Sequence, residues 1–73
     1  MNIDQYESIR IKQFEDDEAF EWVSVTDETM EPLFDIKHPN GKFCETISEA
    51  LEVLQQLGWQ LDHQENDCYV LKK

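Results

Sequence analysis

Seventy-three residues are enough for one compact core and too few for two, so residues 1–73 are expected to form a single domain. Seventeen Asp and Glu stand against six Lys and Arg, a formal net charge of −11, and a chain so negative repels phosphate backbones, which argues against direct nucleic-acid binding. No apolar stretch approaches the roughly 20 residues needed to span a bilayer, and two cysteines with no signal peptide fit a cytoplasmic chain with free thiols, Cys44 and Cys68, better than a secreted disulfide scaffold.

The charge is uneven. Residues 1–35 hold eleven acids and two bases (net −9), whereas residues 36–73 hold six acids and four bases (net −2), so the negative field belongs to the N-terminal half. There, residues 6–14 and 19–26 read as strands around the acidic turn Glu15-Asp16-Asp17-Glu18. A four-residue loop sets Ile11 opposite Trp22, Ile9 opposite Ser24 and Lys12 opposite Glu21. That register gathers Ile9, Ile11, Phe20 and Trp22 on one face and Arg10, Lys12 and Glu21 on the other. Val23 and Val25 are left on the polar side, which implies a bulge or a partly covered second face.

Residues 33–38 and 42–45 suggest a second hairpin around Pro39-Asn40-Gly41, since Asn-Gly tolerates positive φ at both positions. Pairing across it places Phe34, Ile36, His38 and Phe43 together, with Cys44 behind. A helix is expected at about 47–57. Ile47, Ala50, Leu51, Leu54 and Leu57 form one stripe, Thr46-Ile47-Ser48-Glu49 reads as a capping box, and Gly58 stops the helix with Trp59 folding back on Leu54. Residues 59–63 and 68–71 then make a third hairpin around Gln64-Glu65-Asn66-Asp67. Its register groups Trp59, Leu61, His63, Cys68 and Val70, with Tyr69 and Leu71 behind them. The fold class expected is α+β: an antiparallel sheet of five to six strands with one α-helix on one face, in the order β-β-β-β-α-β-β.

The run Ile47-Ser48-Glu49-Ala50-Leu51-Glu52-Val53-Leu54-Gln55-Gln56-Leu57-Gly58-Trp59-Gln60-Leu61, with the closing Tyr69-Val70-Leu71-Lys72-Lys73, resembles a family of small bacterial and phage domains of unknown function. Their mark is a helix running into a Gly-Trp-Glu-Leu-like step and a final Tyr-Val-Leu-Lys-Arg-like strand. Here the step is Gly58-Trp59-Gln60-Leu61, without the second glycine ahead of the tryptophan. The resemblance implies the C-terminal architecture and carries no chemistry with it.

Chemistry is sparse. His38, Cys44, His63 and Cys68 are the soft ligand types, but zinc sites bring ligands as close pairs such as C-x2-C, and these spacings differ, so no metal and no cofactor is expected. His63 and Cys68 fall as cross-strand neighbours in the expected register, the arrangement a thiol nucleophile would need. The Glu15–Glu18 run lacks the alternating acids and central glycine of a calcium loop. Both glycines have turn or cap duties, leaving none to cradle phosphate. Two function classes remain. The first is a non-catalytic interaction module that meets a basic protein through Glu15, Asp16, Asp17, Glu18 and Glu21. In its sharpest form it is a phage-type inhibitor whose carboxylates imitate a nucleic-acid backbone. An apolar strip of Phe14, Val23, Val25, Tyr69 and Leu71, on the face away from the helix, would serve as a homodimer or partner surface. The second class is a small metal-binding or thiol-dependent enzyme domain built on His38, Cys44, His63 and Cys68.

Overall fold

The computed structural model describes residues 5–73. Five strands, β1 (Ser8–Glu15), β2 (Glu21–Thr26), β3 (Pro32–Asp35), β4 (Gln60–Glu65) and β5 (Cys68–Lys72), form one antiparallel sheet, and one helix, α1 (Ile47–Gln56), lies between β3 and β4 in sequence. The sheet order is β3-β2-β1-β5-β4, so the segment carrying α1 takes the chain from one edge to the other. The class is α+β, in the order β-β-β-α-β-β.

The helix forms where its sequence signals lie. The Glu49 amide donates to the Thr46 hydroxyl while the Glu49 carboxylate accepts from the Thr46 amide, closing the capping box. At the other end the Trp59 amide donates to the Leu54 carbonyl and the Gly58 amide to that of Gln55, the paired bonds of a Schellman closure, with Gly58 at φ 97°. Ala50 and Leu54 are buried, and Ile47, Leu51 and Val53 pack partly against the core. Leu57, expected on the buried stripe, is the most exposed large apolar side chain among the described residues, because the Schellman turn swings it off the helix face.

The β1–β2 register differs from the sequence expectation by three residues. Ile11 lies opposite Val25, Lys12 opposite Ser24, Phe14 opposite Trp22 and Glu15 opposite Glu21. An odd shift exchanges faces, so Val23 and Val25 join Ile9 and Ile11 under the helix. In this register Val23 and Val25 are buried, each worth about 1.5–3 kcal/mol, while Phe20 stays exposed and Trp22 half-buried. The turn permits it. Asp16 Oδ1 accepts from the amides of Glu18 and Phe20, and the Asp16 amide donates to the Phe20 carbonyl, which makes residues 16–20 the loop.

The expected strand at 42–45 is reduced to a single bridge, Lys37 to Phe43. Its backbone bonds go elsewhere: the Cys44 amide donates to the Ile36 carbonyl, and the Val23 amide to the Cys44 carbonyl, so this segment seals the end of β2 instead of extending the sheet. Cys44 consequently pairs with Ile36 and is buried with it, while Phe43 faces Lys37. The turn itself uses Pro39 and Asn40 at its centre and only Gly41 in the left-handed region, with φ 90°. In the third hairpin the turn is Asn66-Asp67, and a bulge between Leu61 and His63 splits the expected group. Leu61 opposes Leu71 on the helix side, whereas His63 opposes Val70 and Glu65 opposes Cys68 on the open side.

Candidate functional site

The end of the sheet formed by the β1–β2 loop carries both the acidic run and a row of aromatic rings. Each acid has its own fate. Asp16 is bound into the loop as described, so its carboxylate is structural, while Asp17, Glu18, Glu15 and Glu21 are exposed. Glu15 and Glu21 stand directly opposite as the last pair of the hairpin, two like charges at the closest cross-strand position.

On the reverse side of that hairpin the alternation of β1 and β2 presents Phe14 and Trp22. Their rings stack with centroids 5.8 Å apart, Phe20 continues the row 5.9 Å from Trp22, and Phe43 meets Phe20 edge-on at 6.0 Å. The two ends of the row are already met by cations, Lys12 Nζ 5.3 Å from the Phe14 centroid and Lys37 Nζ 4.9 Å from that of Phe43. Beside Phe20 and Phe43 opens a cleft of about 710 Å³, which these rings line together with His38, Lys42, Glu45 and Glu49. Phe20 remains 46% exposed. His38 Nε2 lies 2.9 Å from Glu49 Oε1, and this bond, with those from Thr46 and Glu45, holds the Glu49 carboxyl below its ordinary range. Glu45 meets Glu49 through its backbone, its amide donating to Glu49 Oε2.

The expected apolar strip is not a surface. Val23, Val25 and Leu71 are buried beneath the helix, and Tyr69 packs partly against the same core; Phe14 alone of the five belongs to the open face. The register shift of β1–β2 and the bulge in β4 are the physical causes. That strip therefore offers no surface to a second copy or a partner.

The soft ligand types are dispersed. Cys44 is fully buried, and burial, reinforced by the negative charge of Glu49, pushes its thiol up to about 11, which opposes the thiolate a nucleophile needs. Cys68 is also buried and faces Glu65 in the register, not His63. Among the described residues no three His, Cys, Asp or Glu side chains gather as a metal site would require. His63 instead sits between two carboxylates, Nδ1 2.8 Å from Asp62 Oδ2 and Nε2 2.8 Å from Glu65 Oε1. Lys72 reaches Asp62 at 3.0 Å and Arg10 reaches Glu65 at 3.6 Å, completing an exposed chain of alternating charge across the open face.

Sequence reasoning placed the acids and missed the cleft. Phe20 and Trp22 had been assigned to the core by the four-residue loop; an aspartate whose side chain can cap the amides two and four residues ahead was the signal for a longer loop. Among the described residues no helix is long and apolar enough to cross a membrane. No protein-family model, curated protein or solved structure matches this chain.

Proposed function

We propose that this chain is a non-catalytic interaction module that binds a basic partner protein through the β1–β2 end of its sheet, and that it acts in the cytoplasm, where its two thiols stay reduced. The observation that carries this reading is that one end of the sheet bears both the exposed carboxylates Glu15, Asp17, Glu18 and Glu21 and, on the reverse side of the hairpin, the half-buried Phe14 and Trp22 with the exposed Phe20. Carboxylates accelerate and orient encounter with a basic surface, and aromatic rings supply the short-range anchor that charge alone lacks. The narrower form is an inhibitor of phage type whose carboxylates occupy a groove built for a nucleic-acid backbone; the concentration of acids in residues 1–35 supports it. The kinship with small bacterial and phage domains, carried by Gly58-Trp59-Gln60-Leu61 and Tyr69-Val70-Leu71, belongs to the same proposal.

The test is a pull-down at low and physiological salt, followed by association kinetics of the recovered partner. Asp17→Lys, Glu18→Lys and Glu21→Lys together should slow association by about tenfold or more at low salt while leaving the fold intact, because Asp16, which holds the loop, is untouched. An association rate indifferent to both salt and charge reversal would remove the acidic loop from the interface.

A further inference from the structure

We infer that the cleft lined by Phe20 and Phe43 is an arginine seat: the basic segment that this module binds enters it with a guanidinium, which it holds more tightly than a lysine ammonium. The inference rests on the interaction reading above and adds the chemistry of the partner side chain.

Four observations lead there. The acidic loop attracts any cation and cannot tell arginine from lysine, since screened charge acts at a distance and without geometry. The rings can. A guanidinium is planar, weakly hydrated and stacks on an aromatic face while its edge donates to a carboxylate, whereas an ammonium is a compact point charge with a tight hydration shell. The ends of the row are already covered by lysines of this chain, Lys12 over Phe14 and Lys37 over Phe43, which leaves Phe20 as the most exposed ring of the row. In its middle, Phe20 is 46% exposed and opens onto a concavity of about 710 Å³, room enough for an extended peptide side chain and its neighbours.

The two rings meet edge to face, 90° between planes at 6.0 Å, so an entering group lies beside the pair and not between its members. A planar group can lie on the exposed part of Phe20, and Glu45, which also lines the cleft, carries the carboxylate that would pair with its edge. Glu49 is less free to respond, since it accepts from His38 and from the backbone and hydroxyl of Thr46. Lys42 on the rim opposes any cation equally, so it lowers absolute affinity without erasing the distinction between arginine and lysine. The acids of the adjacent loop supply the attraction, and the rings supply the choice.

The experiment uses the full chain and two probes of equal length and charge, an oligo-arginine and an oligo-lysine peptide, titrated at low and physiological salt with backbone amide shifts read by NMR. Arginine should bind about tenfold more tightly than lysine, a difference within the range of a desolvated cation–π contact, with the largest shifts at Phe20, Phe43 and Glu45. Phe20→Leu and Phe43→Leu keep apolar bulk and remove the π face; they should bring arginine down to the lysine level and leave lysine binding unchanged. Equal binding of both peptides, with shifts confined to Glu15–Glu21, would overturn the arginine seat and leave the acidic interaction surface standing. Failure of both peptides at low salt, with the fold verified by circular dichroism, would overturn the two together.

Discussion

Asp16 and Asp27 do the same work at two different hairpins. In each, one carboxylate oxygen accepts from the amides two and four residues ahead: Asp16 Oδ1 from Glu18 and Phe20, and Asp27 Oδ1 from Thr29 and Glu31. In each, the aspartate amide donates to the carbonyl four residues on, and the residue three ahead turns left-handed, Ala19 at φ 66° and Met30 at φ 68°. The Thr29 hydroxyl adds a further bond to Asp27, and these donors hold its carboxyl below the usual range. The chain thus uses one five-residue loop twice, at the cost of a Cβ in the left-handed region both times. That strain costs about 1–2 kcal/mol, against roughly 0.5–1 kcal/mol of extra chain entropy for glycine, so Ala19→Gly should raise stability by about 0.5–1 kcal/mol. Thermal or denaturant unfolding of the variant would read it, and an unchanged or lower midpoint would mean that the loop does not hold Ala19 in this conformation.

At the scale of elements, the β4–β5 hairpin is the one whose stability should follow pH. A neutral imidazole has one N–H and can donate to one carboxylate, so the two short contacts of His63 with Asp62 and Glu65 call for the protonated ring. The hydrogen bond to Glu65, then that to Asp62, raises the His63 pKa above 6.5. Asp62 is lowered first by Lys72 and then by His63, and Glu65 first by His63, with Arg10 adding charge. Because the folded His63 pKa is raised, its contribution is fully present below the unfolded value and is lost as pH rises through the folded one. The carboxylates act oppositely: theirs is present above their unfolded values and is lost as pH falls through the depressed ones. His63→Gln should therefore lower the unfolding midpoint below pH 6.5 and converge on the parent as pH rises through the raised folded pKa. A difference independent of pH over that span would show that His63 acts through packing alone. The effect should be small, since all three side chains are substantially exposed.

For the whole molecule, charge and edges decide behaviour. A net charge of −11 on a body with extents of 34 × 29 × 20 Å repels itself, and the Debye length of about 8–10 Å at physiological salt screens most of that repulsion. The melting temperature should rise from low to physiological salt; a fall would show that attractive pairs such as Arg10–Glu65 and Lys72–Asp62 outweigh the self-repulsion. Neither sheet edge invites another strand. β3 is four residues long and begins at Pro32, and β4 is bulged at Asp62 and carries the charged chain. The face without a helix is not bare either. Lys12 lies in register between Ser24 and Cys68, and Arg10 between Thr26 and Val70, and these four neighbours are buried because the long aliphatic stems lie across them. What remains partly open is the aromatic row at the β1–β2 end, with Phe20 exposed and Phe14 and Trp22 half-buried.

The helix, its caps, the first and third hairpins and the α+β class were legible in local chemistry, since Thr46 and Glu49 sit three residues apart and Gly58 follows the last turn, whereas the third turn is shorter than the four residues expected, Asn66-Asp67 alone. The acids of the β1–β2 loop were equally legible as a charged run, though not the division that leaves Asp16 structural and Asp17 and Glu18 free. Tertiary structure alone decided which face each strand residue takes. With a side-chain period of two, a loop longer by a single residue at one hairpin, or one bulge in β4, moves every following side chain across the sheet, and burial of Val23, Val25 and Leu71 against Leu54 and Trp59 selects between the alternatives. The same choice turned Phe14, Trp22 and Phe20 outward. The candidate site is thus a consequence of how the core was filled, which no window of local sequence contains.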